Sequence, residues 1–297
     1  MSQLGNALSG DLGFIERMNI SSLTGFVHST FRKTINIHCF ENGELYTIAS
    51  TQIDNGPNTL VINLASFEGL NIHVNDQVFV KNNTLFISNK LAISIGEIER
   101  WESILPEYPS DLQKVNRNLI MMKEYIDFHG KAGGMKKKLF AQSPYETEMS
   151  RLLEERTNLL INELSNNRLA NAVCHAVSLV GLGPGLTPSG DDFLVGLFTI
   201  MNLRKSPFYL QQSFRDEVVM RANSLTNEIS YMTLKKASIG KVRESIIHLV
   251  HSILNGKEDE LYLPLNKVLN IGSSSGTDIA TGLICGLEAN LRVGGQL

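Results

Sequence analysis

Residues Gly181–Gly196 read GLGPGLTPSGDDFLVG. Five glycines and two prolines fall within these sixteen residues, and an apolar run begins at Phe193. Glycine reaches conformations and close approaches that other residues cannot, at a cost in chain entropy. A loop so rich in it holds a shape on which something else depends. It ends in Ser189-Gly190-Asp191-Asp192, a helix-start signal. Ser189 is placed to cap, and Asp192, three residues later, gives a short-armed capping box. A glycine loop feeding a helix N-terminus offers unpaired N–H groups and positive dipole to an anion.

The signal recurs downstream as Ser275-Gly276-Thr277-Asp278-Ile279-Ala280-Thr281-Gly282-Leu283. Ser, Gly, Asp, Gly and Leu stand at the same five offsets as in Ser189–Leu197, and Gly272-Ser273-Ser274 precedes this copy much as Leu186-Thr187-Pro188 precedes the first. A glycine inside a helix costs about 1 kcal/mol relative to alanine. Accepting that cost twice at one offset predicts two closely packed helices, with each other as one candidate partner. Two readings stay open. Capping alone accounts for either copy taken singly. Alternatively, both helix N-termini converge on one anionic ligand, with Gly183, Gly185, Thr187, Ser189, Gly190, Ser273, Ser274, Ser275 and Gly276 as the binding residues. Asp191, Asp192 and Asp278 would repel an anion at short range. They are therefore candidate catalytic groups acting on a cation, a substrate amide or a proton, or else plain caps. Adjacent helical residues point about 100° apart, so one of Asp191 and Asp192 is expected to face the ligand.

Thr226, Asn227 and Ser230 form a second polar cluster. Spacings of three and four share a helix face, which makes them candidate ligand contacts. They read equally as a helix start capped by Thr226 or Ser224.

The chain has 297 residues, 42% hydrophobic and 19% charged, with a net charge of -3. That size fits one large or two smaller domains, and the charge gives no electrostatic case for nucleic acid. Lys136-Lys137-Lys138 reads as a solvated run on a loop. Cys39, Cys174 and Cys285 are far apart and odd in number, against a disulfide framework or zinc knuckle; Cys174 and Cys285 read as small core residues. His248 and His251 lack the glutamate of a zinc-protease motif. No metal and no cofactor is expected. No secretory signal or membrane-length apolar run is visible, so the expected setting is cytoplasmic.

The chain divides by texture. Residues 1–105 are expected to form a β-rich domain, a small barrel or sandwich. The runs Thr34–Phe40, Leu45–Ala49, Asn58–Leu64, Val78–Val80, Thr84–Ile87 and Leu91–Ile95 are separated by turns such as Asn42-Gly43 and Asn82-Asn83. Residues 106–297 are expected to be all-helical, with glycine-rich loops at helix N-termini. Apolar positions predict helices over Asp111–Phe128, Tyr145–Leu164, Arg168–Val180, Asp191–Asn202, from Pro207 to Arg221, Asn223–Ala237, Lys241–Leu254, Leu261–Asn270 and Thr277–Leu291. The class is α+β; the absence of βαβ alternation argues against Rossmann and TIM folds.

The segment Gly183–Leu194, with Gly272–Asp278 and the Thr226–Gly240 stretch, resembles the AllH family, named for a subunit of bacterial oxamate carbamoyltransferase. The resemblance covers most of the chain. It implies a part in converting oxalurate and phosphate into oxamate and carbamoyl phosphate, in allantoin breakdown, within a hetero-oligomer of carbamoyltransferase subunits. Carbamoyl phosphate, oxamate and oxalurate are small anions that backbone N–H groups and hydroxyls could hold. The Ser-Thr-Arg-Thr-Arg motif of ordinary carbamoyltransferases is missing, so the chemistry would use a different site. The alternatives are an accessory or scaffold subunit without catalysis, and an enzyme or sensor for another small carboxylate.

Overall fold

A computed structural model describes residues 3–20, 23–140 and 143–295. It divides into two compact units, Met1–Ser103 and Ile104–Leu297.

The first unit contains β1 (Gln3–Asp11), α1 (Leu12–Ile20), β2 (Thr24–Thr30), β3 (Thr34–Cys39), β4 (Leu45–Ala49), β5 (Thr59–Ile62), β6 (Gln77–Lys81), β7 (Thr84–Ile87), β8 (Leu91–Ser94) and β9 (Glu99–Trp101). The strands run in the order β5-β4-β3-β2-β6-β7-β8-β1. β1 then closes the ring by pairing antiparallel with β5. Of the barrel and the sandwich, the unit is thus a closed eight-stranded barrel. β9 adds to the far half of β1, continuing the side that β8 occupies along its first half. Closure leaves few free strand edges. Val27, Ile37, Ile48, Leu60, Leu85 and Ile93 fill the interior, and Phe14 and Ile15 of α1 join the same core. The Asn42-Gly43 and Asn82-Asn83 turns join β3 to β4 and β6 to β7, both antiparallel. Gly43, Asn82 and Asn83 take the positive φ these turns need.

The second unit holds α2 (Leu112–His129), α3 (Pro144–Ser165), α4 (Leu169–Leu179), α5 (Ser189–Met201), α6 (Gln212–Ala222), α7 (Glu228–Ser238), α8 (Glu244–Asn255), α9 (Tyr262–Leu269) and α10 (Ser275–Val293). Each expected helix is present. α7 starts five residues later than Asn223, because Asn227 caps it by accepting from the Ser230 N–H. α5 is buried along its whole length, as its uniformly apolar surface requires. It packs on α10 where Gly196 meets Gly282. A Cβ on Gly196 would lie 2.1 Å from Ile279 O, and one on Gly282 would lie 2.0 Å from Phe193 O. Ile279 and Phe193 hold matching places in the two copies. Exchanging the helices therefore reproduces the contact.

Two local expectations are corrected. Cys174 is exposed rather than in the core. It sits one position past Val173, off the buried stripe of Ala172, Val173, Ala176 and Leu179. The lysine run is not simply solvated. Lys136 Nζ donates to the carbonyls of Ile126, Asp127 and Gly130, closing the C-terminal end of α2. Lys137 and Lys138 pair with Glu154 and Glu146. Deeper in the unit, Arg215 is fully buried and donates to carbonyls of Ser238, Met201, Phe208 and Tyr209. It thereby joins the C-terminal ends of α5 and α7. Among the described residues no helix is long and apolar enough to cross a membrane.

Candidate functional site

The two glycine loops bring the first turns of α5 and α10 side by side. Gly183 (φ 123°) and Gly272 (φ 58°) each take a left-handed conformation just before their helix. A Cβ on Gly183 would lie 2.6 Å from Ser189 N, and one on Gly272 2.9 Å from Ser275 Oγ. Each glycine thus lets its loop fold back over the serine that opens the helix. Neither serine caps its own helix. The N-caps are Pro188 and Ser274, and neither makes a side-chain cap bond. This corrects the capping expectation for Ser189.

The serine hydroxyls serve the opposite helix instead. Ser275 lies 2.9 Å from the Thr187 hydroxyl of the first loop. Ser275 and Thr187 together favour the charged form of Asp192 on α5. Ser189 in turn favours the charged form of Asp278 on α10, which also accepts the Met135 N–H at 2.6 Å. Each copy's aspartate is thus favoured in its charged form by the other copy's serine. Burial outweighs these donors. It pushes Asp192 up to about 7, with the charges of Asp278 and Asp191 adding to the rise, and pushes Asp278 up to about 6. Ser189 Oγ, Asp192 Oδ2 and Asp278 Oδ2 are buried without meeting the geometry of a formed hydrogen bond to any described residue. Such atoms carry a desolvation cost that a ligand or a proton can relieve.

Asp191 points elsewhere. It accepts from Gly181 N at 2.8 Å, from Ser230 Oγ at 2.8 Å and from the Thr226 hydroxyl. Burial still raises it from the usual carboxylate value. Asn227 adds a tie from its Nδ2 to Leu186 O at 2.7 Å. Thr226, Asn227 and Ser230 are thus gathered at the back of the first loop around Asp191. Gly190 and Gly276 lie against Leu179 O and Val268 O, where a Cβ would sit 2.0 and 1.9 Å away.

A third element enters that the sequence reading passed over. Residues 130–138 strap across the start of α10. Lys131 N donates to Thr277 Oγ1 at 2.8 Å, and Lys131 Nζ donates to Gly272 O at 3.0 Å. Gly134 is buried in a cradle of oxygens. A Cβ there would lie 2.4 Å from both Asp278 carboxylate oxygens and 2.5 Å from Ser189 Oγ. The available signal was Gly130, Gly133 and Gly134 ahead of the lysine run.

Beside this cluster opens a cleft of about 410 Å³. Pro184, Gly185, Ser273 and Ser274 of the two loops line it, as do Gly133 and Lys138 of the strap, and Ser143, Tyr145, Glu146 and Met149 at the start of α3. Of the expected binding residues, Gly185, Ser273 and Ser274 thus reach the cleft wall. Thr187, Ser189, Ser275, Asp192 and Asp278 form the adjoining polar layer. Among the described residues no group of three or more His, Cys, Asp and Glu side chains could hold a metal ion.

The arrangement can trade protons near neutral pH, through buried carboxyls bridged by hydroxyls, next to a cleft sized for a small molecule. No solved structure matches the chain. Two family models do: the AllH family N-terminal domain over residues 6–100, and oxamate carbamoyltransferase subunit AllH over residues 179–287. Most of the barrel and of the paired glycine-loop helices falls within those two matches, and the chain belongs to the AllH family.

Proposed function

We propose that this chain is a subunit of an oxamate carbamoyltransferase-like assembly and that it holds a small carbamoyl-bearing acid in the cleft between its glycine loops. The reaction joins phosphate to the ureido carbonyl carbon of oxalurate. The bond from that carbon to the oxamate nitrogen breaks, and the nitrogen takes a proton. Asp192, raised by burial to about 7 and so divided between its two forms near neutral pH, supplies that proton, with Thr187 and Ser275 between it and the ligand; in the reverse direction it takes the proton back. Asp278 and Ser189 form the matching half and hold the frame. Asp191, with Thr226, Asn227 and Ser230, positions the first loop. Backbone N–H groups of Gly185, Ser273 and Ser274 meet the oxygen on which charge develops. A cytoplasmic setting fits three cysteines that are all unbridged.

The juxtaposition of serine and aspartate across α5 and α10, with Ser189 and Asp278 around Gly134 and Ser275 against Thr187, is the supporting observation. It places titratable groups with unmet hydrogen-bonding capacity next to a cleft. The test is turnover of the reconstituted complex carrying Asp192→Asn together with Ser189→Ala. A loss of about 10²–10⁴-fold is expected from removing acid–base help. Full activity in that double variant would remove the chemistry from this site.

A second reading has its own support. Asp192 and Asp278 adjoin the cleft but do not line it. In that reading the chain is an accessory subunit whose duplicated motif only packs two helices. Calorimetry of the isolated chain with carbamoyl phosphate and oxamate separates the two, since an accessory subunit takes up neither.

A further inference from the structure

We infer that Lys138 and Glu146 form a displaceable ion pair in the cleft, with Lys138 as the anchor for the anionic end of the ligand and Glu146 as the group that end displaces. This rests on the cleft being the ligand site; it does not require Asp192 to act as an acid. Among the described residues lining the cleft, Lys138 is the one cation and Glu146 the one carboxylate. They meet at 2.8 Å, with side chains 40% and 30% exposed.

Three consecutive lysines have three different occupations. Lys136 is spent on the carbonyls that close α2. Lys137 is paired with Glu154. Lys138 alone of the three reaches the cleft. The two loops contribute Gly185, Ser273 and Ser274 to its wall. A small acid lying between these residues and Lys138 would be held by both, its charge against the ammonium group.

The pair is built to open. A half-exposed lysine–glutamate pair is weakly held, because water screens it and two long side chains must be ordered to make it. A phosphate or carboxylate brings a full charge to Lys138 and can take the place of Glu146. The released carboxylate keeps a favourable position, since Glu146 lies in the first turn of α3, where the helix dipole stabilises an anion. The cleft thus carries a resident carboxylate that ligand binding must replace. That gives the two members of one ion pair opposite effects on affinity.

The test is titration of the full-length chain with inorganic phosphate and, separately, with oxamate, by calorimetry. Wild type, Lys138→Met, Lys138→Arg and Glu146→Gln are compared, with the urea midpoint of each confirming the fold. Lys138→Met is expected to weaken binding about tenfold or more. Lys138→Arg should restore most of it. Glu146→Gln should tighten binding by about threefold, the competing carboxylate being gone. A response in the phosphate arm alone assigns Lys138 to a phosphate, one in the oxamate arm alone to a carboxylate, and one in both to either anion. The inference is overturned if Lys138→Met and Glu146→Gln shift affinity in the same direction, if neither shifts it, or if wild type takes up neither anion. An active complex carrying Asp192→Asn, in a chain that still shows the opposite shifts, would overturn the proton chemistry and leave the anchor standing.

Discussion

The contact between α5 and α10 makes a quantitative prediction about Gly196. Alanine there adds a methyl group 2.1 Å from Ile279 O, 2.8 Å from Leu283 N and 3.0 Å from Gly282 Cα. A carbon approaches a carbonyl oxygen to about 3.3 Å. The helices must therefore part by roughly 1 Å at this point. Alanine returns about 1 kcal/mol of helix propensity, while overpacking a filled interior costs about 1–3 kcal/mol and sometimes more. The burial of α5 along its whole length leaves little room for relief. With the overpacking cost at the upper end of that range, the expected net effect is a destabilisation of about 2 kcal/mol, read as a lower urea midpoint by far-UV circular dichroism. Gly282→Ala faces the same collision, 2.0 Å from Phe193 O, and should cost a similar amount. Once one methyl has parted the helices, the other finds space. The double variant should therefore cost less than the sum of the singles by at least about 0.5 kcal/mol. The same parting stretches the 2.9 Å Thr187–Ser275 contact, so ligand uptake should fall more steeply than stability. Strict additivity, or a midpoint that either alanine leaves unchanged, refutes the close crossing.

Two further outcomes follow from the polar layer. Gly134→Ala places a methyl among the Asp278 and Ser189 oxygens and should push the strap away, breaking the Met135 N–H bond to Asp278. With that donor lost, the Asp278 carboxyl should titrate higher than in wild type by infrared difference spectroscopy; an unchanged titration counts against the cradle. Stability should also depend on pH through Asp192, whose folded value of about 7 lies above its ordinary 3.8. A carboxyl raised on folding contributes stability that is fully present below the lower value and lost as pH climbs through the higher one. Asp192→Asn should therefore match wild type near pH 4 and exceed it at pH 8, by on the order of 3 kcal/mol. The comparison is made between the two proteins, since the lowered values of Glu41 and Asp76 act in the opposite sense. An advantage at pH 8 no larger than at pH 4 would contradict the burial of a proton-binding Asp192.

How much of this was legible in the sequence depended on where each signal resides. The helices of the second unit declared themselves through apolar spacing, and the two glycine-loop helices through a repeated motif. β1 did not. Its inward positions are Gly5, Ala7 and Gly10, while Leu4 and Leu8 face outward at 74% and 46% exposure. Where small residues face the crowded interior of a barrel, hydrophobic alternation points the wrong way, and the strand is set by its neighbours on both sides. The serines were legible as a repeated signal but not as partners across the two helices. Ser at the start of a helix and Asp three residues on make the same pattern whether they bond within one helix or across to another. The strap was hidden for a different reason. It acts largely through the backbone N–H groups of Lys131 and Met135, which every residue carries and no residue type advertises.

The near-symmetry of the two copies explains their geometry, and their differences give the two flanks unlike surroundings. At the third position of the motif one copy has Asp191 and the other Thr277. Asp191 is held by Thr226, Ser230 and Gly181 at the back of the first loop, whereas Thr277 takes its bond from the strap. The loops differ too. The first runs from the end of α4 at Leu179 to Ser189, and the second, shorter, from the end of α9 at Leu269 to Ser275. A symmetric pair of carboxyls would treat both ends of a ligand alike. Here one flank is locked by the hydroxyls of Thr226, just before α7, and Ser230, within it, and the strap that grips the other also brings Lys138 to the cleft. In the site we propose, a ligand with one charged end and one amide end would meet unlike surroundings at its two ends and so bind in one orientation, with its reacting carbon held in one place for either direction of the reaction.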